Sequence, residues 1–107
     1  MDRIAFLKDF IEKNPDDMFA RHALGLEFIK LGSDAEAEIL FREILALQPS
    51  YIGTYYHLGK LLERKGGLNE AINIFEVGIK EASVKHDQHA LRELNAALNQ
   101  LKDEIDS

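Results

Sequence analysis

The residues best equipped for chemistry in this chain are its four histidines, His22, His57, His86 and His89. His86 and His89 stand three apart with Asp87 between them, a spacing from which a surface metal site can be imagined. Two solvated imidazoles at a loop–helix junction are the simpler reading, so no metal is expected. Ser33, Ser50 and Ser83 fall at expected helix boundaries, where a hydroxyl caps the backbone, and none sits in a nucleophile-elbow pattern. Gly66-Gly67 lacks the preceding strand that a phosphate-binding loop requires. Carboxylates are plentiful but scattered, as on any solvated helix face. The chain is expected not to be an enzyme and to carry no cofactor.

The elements that position these residues are read from apolar spacing, which is helical throughout. A first helix over about Asp2 to Lys13 carries Ile4, Leu7 and Ile11 on one stripe, with Phe6 and Phe10 beside it, and Asn14-Pro15 ends it. A second runs from about Asp17 to Leu31 with Asp16 as its cap, and Gly32 stops it. Ser33 and Glu36 are placed to form a capping box for a third, striped by Ala37, Leu40, Phe41, Ile44 and Leu45. A fourth runs from about Ile52 to Arg64, and after Gly66-Gly67 a fifth carries Leu68, Ala71, Ile72, Phe75 and Ile79. A sixth, capped by Asp87, shows a narrow seam of Leu91, Leu94, Leu98, Leu101 and Ile105 with polar residues elsewhere, the pattern of a terminal capping helix.

Two stretches of this chain repeat each other. Pro15 returns as Pro49, Leu24-Gly25 as Leu58-Gly59, Gly32 as Gly66, Glu36-Ala37 as Glu70-Ala71 and Phe41 as Phe75, each 34 residues on. A fixed period of this length marks a unit that stacks on its copies. Glycine in mid-helix costs about 1 kcal/mol against alanine. Its use at both 25 and 59 predicts a neighbouring helix backbone packed on each spot, with Phe41 and Phe75 filling the space between units.

The first copy, Leu24, Gly25, Phe28, Ala37, Phe41 and Pro49, and the second, Leu58, Gly59, Leu62, Ala71 and Phe75, together resemble the tetratricopeptide repeat. The match covers residues 15 to 83. The family's usual Trp is Arg21 in one copy and Tyr55 in the other; its late small residue is Ile44 and Gly78; its closing proline is Ser83 in the second copy. The resemblance implies an all-α, antiparallel helix-hairpin solenoid of six helices, expected as a single domain over 1–107. Its parts are an N-terminal helix (1–14), repeat 1 (15–49), repeat 2 (50–83) and a C-terminal capping helix (86–106).

Such a scaffold implies a binding module, an adaptor that takes a partner's peptide or helix in a concave groove. The resemblance puts Phe19, His22, Leu26 and Ile29 on that inner face, with Lys30 at its end, and Tyr56, His57, Lys60, Glu63 and Arg64 in the second unit. The spacing 19, 22, 26, 29 makes one helical stripe. Because the same helix packs through Ala20, Leu24, Phe28 and Leu31, it is apolar on two sides. It must be covered twice, by the chain's own ends or by a partner. Family members that grip acidic chaperone tails use a clamp of Lys and Asn; here His22, Leu26 and His57 occupy those places. The expected ligand is therefore amphipathic, apolar against Phe19, Leu26 and Ile29 and acidic near Lys60 and Arg64. The alternative is a homo-oligomer, with the groove or a terminal helix packed on a second copy.

Composition sets the outer bounds. The 107 residues are 46% hydrophobic and contain no cysteine, enough apolar content for one domain and none for disulfides or thiolate metal sites. A net charge of −6, evenly spread, speaks against nucleic acid and against a polybasic membrane surface. Neither a leader nor an 18-residue apolar span is visible, and a cytoplasmic location is expected.

Overall fold

Short polar side chains decide where helices begin. In the computed structural model, which describes residues 2–107, the carboxylates of Asp2, Asp17 and Asp87 accept from the backbone N–H of Ala5, Ala20 and Ala90 at 2.8, 3.0 and 3.0 Å. Each satisfies one of the amides a first turn leaves without an intrahelical acceptor. The cap of the second helix is thus Asp17 rather than the expected Asp16. Ser33 does occupy the N-cap position of the third, but its hydroxyl makes no capping bond, so that half of the capping box does not form.

Six helices account for the regular structure of the described residues: α1 (Arg3–Lys13), α2 (Met18–Lys30), α3 (Asp34–Leu47), α4 (Gly53–Lys65), α5 (Leu68–Val84) and α6 (Gln88–Asp106). Turns are made where the chain can go left-handed: Gly32 (φ 76°) and Gly66 (φ 91°), and, without glycine, His86 (φ 57°). Ser83 does not close the fifth helix as expected; it lies in the last turn of α5, which runs on to Val84.

Helices adjacent in sequence pack as hairpins within two compact units, one closing at Gln48 and the other spanning Pro49–Ser107. The first holds α1, α2 and α3. Its core joins Leu7, Ala23 and Leu24, with Ile4, Ile11, Phe28 and Leu40 packed around them. The Lys8 ammonium lies 5.7 Å from the Phe28 ring centroid and shields its outer side. The second unit holds α4, α5 and α6, and here α6 packs on both α5 and α4.

The mid-helix glycines have a cause, though not the expected one. A Cβ at Gly25 would stand 2.9 Å from Phe41 Cζ, and one at Gly59 would stand 2.6 Å from Phe75 Cζ. What presses on each glycine is the phenyl ring of the next helix, not a backbone, and the ring fills the inside of its own hairpin rather than a space between units. Both rings are wholly buried, worth roughly 1.5–3 kcal/mol each in apolar transfer.

The period also reaches further than the sequence comparison suggested. Leu7 stands 34 residues before Phe41 and is likewise buried, so α1 is built like the second helix of a unit. Asp17, Ala20, Leu24 and Leu31 of the α2 segment return 70 residues on as Asp87, Ala90, Leu94 and Leu101, so α6 is built like a first helix. The shift is 70 rather than 68 because two extra residues enter between α5 and α6, where a longer helix (17 residues against 14 in α3) is joined by a shorter connection (85–87 against 48–52).

Candidate functional site

Two helices carry the expected binding residues, α2 in the first unit and α4 in the second. On α2, Met18, Ala20, Ala23, Leu24 and Gly25 turn inwards. The second stripe is less completely covered: Leu26 and Ile29 are half-buried, and Phe19 is 71% exposed. Leu31, expected in the packing stripe, is instead exposed at 66%, beyond the last full turn. The apolar character of α2 on both sides therefore survives folding, with Phe19 as its least covered point.

His22 belongs to this stripe but does more than line it. Its ring centroid lies 5.6 Å from that of Phe41, so the imidazole backs the buried phenyl ring of the hairpin. Lys30, exposed at the end of α2, lies 3.7 Å from Glu27, which also accepts from Arg3 at 2.6 Å.

On α4, Tyr56, His57, Lys60 and Glu63 are half-buried and Arg64 is exposed. Tyr56 and His57 meet edge to face with centroids 5.4 Å apart. Lys60 is engaged with Glu63 at 3.5 Å, so this helix satisfies part of its own positive charge. Burial holds the His57 imidazole below its ordinary range; Glu93 of α6 draws it back up and Arg64 pushes it further down. Near neutral pH His57 is thus an uncharged hydrogen-bonding group beside the α6 helix.

Arg21 and Tyr55, which stand where a tryptophan was expected, turn out to do one job. Arg21 Nη1 donates to the carbonyl of Pro15 and Tyr55 Oη donates to the carbonyl of Pro49 at 2.6 Å, each six residues back. Either side chain ties the start of its hairpin to the turn before it. Arg21 also pairs with Glu43 of α3 at 2.7 Å, and burial followed by the Glu81 charge raises the Tyr55 hydroxyl above the usual phenol range. Sequence spacing had no means of showing that a guanidinium and a phenol reach the same acceptor.

His86 and His89 lie at the turn before α6 and in its first turn, and no group of three His, Asp or Glu able to hold a metal occurs among the described residues. Among the same residues no helix is long and apolar enough to cross a membrane.

Comparison with known proteins bears on the fold. The family model of the tetratricopeptide repeat matches residues 52–82, which hold α4 and most of α5. The chain is similar to a tetratricopeptide repeat domain protein of Salinibacter ruber, at 39% identity and a TM-score of 0.80, over 82% of this chain and 98% of that one. It is also similar, at 13% identity and a TM-score of 0.87 over 94% and 81% of the two chains, to the TPR2B domain of yeast Sti1, solved in complex with pHsp70. Among curated proteins it is 28% identical over 68 residues to the mouse "Interferon-induced protein with tetratricopeptide repeats 3", covering 64% of this chain. The chain spans only 17% and 16% of the lengths of the curated relatives it matches.

Proposed function

Because the chain belongs to the tetratricopeptide repeat family, with a 39% identical relative spanned over nearly its whole length, we propose that it works as a non-catalytic protein–protein interaction module. It acts as an adaptor for a peptide or amphipathic helix of a partner, with contact residues on α2 and on α4. Phe19, His22, Leu26, Ile29 and Lys30 are the contact residues on α2, and Tyr56, His57, Lys60, Glu63 and Arg64 those on α4. The observation that carries this reading is the second apolar stripe of α2, which ends in a phenylalanine 71% exposed. A helix keeps such a surface at the expense of solubility unless something else covers it.

The ligand is apolar towards Phe19, Leu26 and Ile29 and acidic towards Arg64 and Lys60. The Sti1 domain supports the class of ligand, a protein, and no more. With His22, Leu26 and His57 at the clamp positions, a chaperone tail held by its carboxylate is a poor fit. A cytoplasmic setting accords with the absence of cysteine.

Capture of partners by the immobilised chain and by its Leu26→Asp variant tests the proposal. Leu26→Asp leaves the helical circular dichroism unchanged and loses the partner. Retention of every partner by Leu26→Asp, together with a charge-reversed Arg64→Glu variant, would sink the assignment of this face.

A further inference from the structure

A second surface, at the α1–α2 hairpin, shares Phe19 with the one just proposed but takes in neither Leu26 nor Ile29. Phe6 and Phe10 lie one turn apart on α1 with centroids 6.3 Å apart, and are 54% and 36% exposed. With Phe19 they wall a groove of about 230 Å³ whose floor includes Leu7, Ala20 and Ala23. That is below the roughly 300–1,000 Å³ of small-molecule pockets, and suits side chains from a helix laid along it.

The chain itself shows what such a hairpin carries. α5 and α6 are the counterparts of α1 and α2, and in the second unit α4 packs on both of them. There α4 sets Gly59 against Phe75 and lays Tyr55 over Gly78, beside Leu94. The matching places in the first unit are Leu7, Phe10 and Leu24, and among the described residues of that unit no helix takes the role of α4. Joined to α5 through Gly66-Gly67, α4 runs antiparallel to it.

We propose that this groove is a self-association surface, filled by α1 of a second copy of the chain across a two-fold axis. With the two-fold axis perpendicular to the helices, the two α1 copies run antiparallel, the direction α4 takes against α5. Among the described helices only α1 offers two exposed aromatics one turn apart, so it alone can supply the knobs as well as the groove. Each end of α1 carries both signs, Asp2 and Arg3 at one and Glu12 and Lys13 at the other, so an antiparallel copy sets no like-charged ends together. Within each chain Arg3 keeps Glu27 at 2.6 Å and Lys13 keeps Asp9 at 3.0 Å. Leu26 lies outside the groove and Phe6 and Phe10 lie outside the partner-binding stripe, so substitutions at these residues test the two surfaces separately, although Phe19 belongs to both.

Sedimentation equilibrium of the full chain should show a weight-average mass rising with concentration towards twice that of one chain. The Phe6→Glu, Phe10→Glu double variant should stay at the single mass with its helicity intact, while Leu26→Asp should associate as the parent does. Because the chain has no cysteine, Asp9→Cys gives an independent readout on a protein that keeps both rings. It should form a disulfide-linked dimer under mild oxidation, while Glu104→Cys on α6 should not. A chain that stays monomeric at its highest soluble concentration would assign the groove to a foreign helix and overturn the proposal. So would unchanged association in the double variant, or cross-linking through Glu104→Cys but not Asp9→Cys.

Discussion

Gly25 and Gly59 show how one missing methyl group fixes a helix pair. Each leaves room for a phenyl ring that is wholly buried, so a larger side chain has no free volume to enter. Gly25→Leu should destabilise the protein by about 1–3 kcal/mol through overpacking. Gly59→Ala should also destabilise it, although alanine is the better helix former by about 1 kcal/mol. Gly53, at the start of α4, has nothing within 4 Å of its would-be Cβ, so Gly53→Ala should be neutral or stabilising by about 0.4–1 kcal/mol. Urea denaturation of the three variants checks both signs. The sequence announced that positions 25 and 59 had to be small, because the glycines recur where they are costly. It did not say what they touch, since a ring and a backbone leave the same mark on the pattern. His57 gives a prediction in pH. Its folded-state pKa lies below the unfolded value of about 6.5, so folding favours the neutral imidazole and the unfolded chain binds the proton more readily. That stability is present above about pH 6.5 and is lost as the pH falls through the folded-state value. Melting temperatures taken from neutral to mildly acidic pH should fall more steeply for the parent than for His57→Gln.

At the scale of the helix, carboxylate caps do what the serines were expected to do. Asp17→Ala and Asp87→Ala should each lower stability by about 1 kcal/mol, and Ser33→Ala should lower it much less, because only the aspartates bond to their first-turn amides. Thermal melts of the three single variants decide this. Element order, number and type were legible because every apolar stripe has helical spacing and Gly32 and Gly66 punctuate it. The ends were harder. Asp16 and Asp17 are chemically alike, and only the backbone's path selects the second. α5 continues through Ser83 because no proline stands there, whereas Pro15 and Pro49 follow the ends of α1 and α3. The two-residue slip between α5 and α6 also hid the kinship of α6 with α2, which a search at a fixed period of 34 passes over.

For the whole molecule, repeat construction makes stability local. Gly25→Leu should speed amide hydrogen exchange in α1, α2 and α3 before it does so in α4, α5 and α6, because the ring it displaces belongs to the first unit. Uniform loss of protection across all six helices would contradict this. The candidate site was legible to a similar degree. Phe19, Leu26 and Ile29 were identifiable as a surplus stripe on a helix already committed to packing, and Phe19 is the part that stays open. What the sequence could not show was how far the α4 residues are already engaged, with Lys60 turned to Glu63 and His57 held neutral by burial against the pull of Glu93. Phe6 and Phe10 were legible only as neighbours of the α1 packing stripe, since apolar spacing does not say how much of a flanking aromatic stays exposed.

The place of Gly25 and Gly59 is taken in α6 by Asn95, exposed and bonded through its amide to the carbonyl of Leu91 at 2.9 Å. An incoming phenylalanine, arriving as Phe41 does on α2, would find no socket there. Asn95→Gly should therefore open on α6 the kind of socket that Gly25 and Gly59 leave for a phenyl ring on α2 and α4.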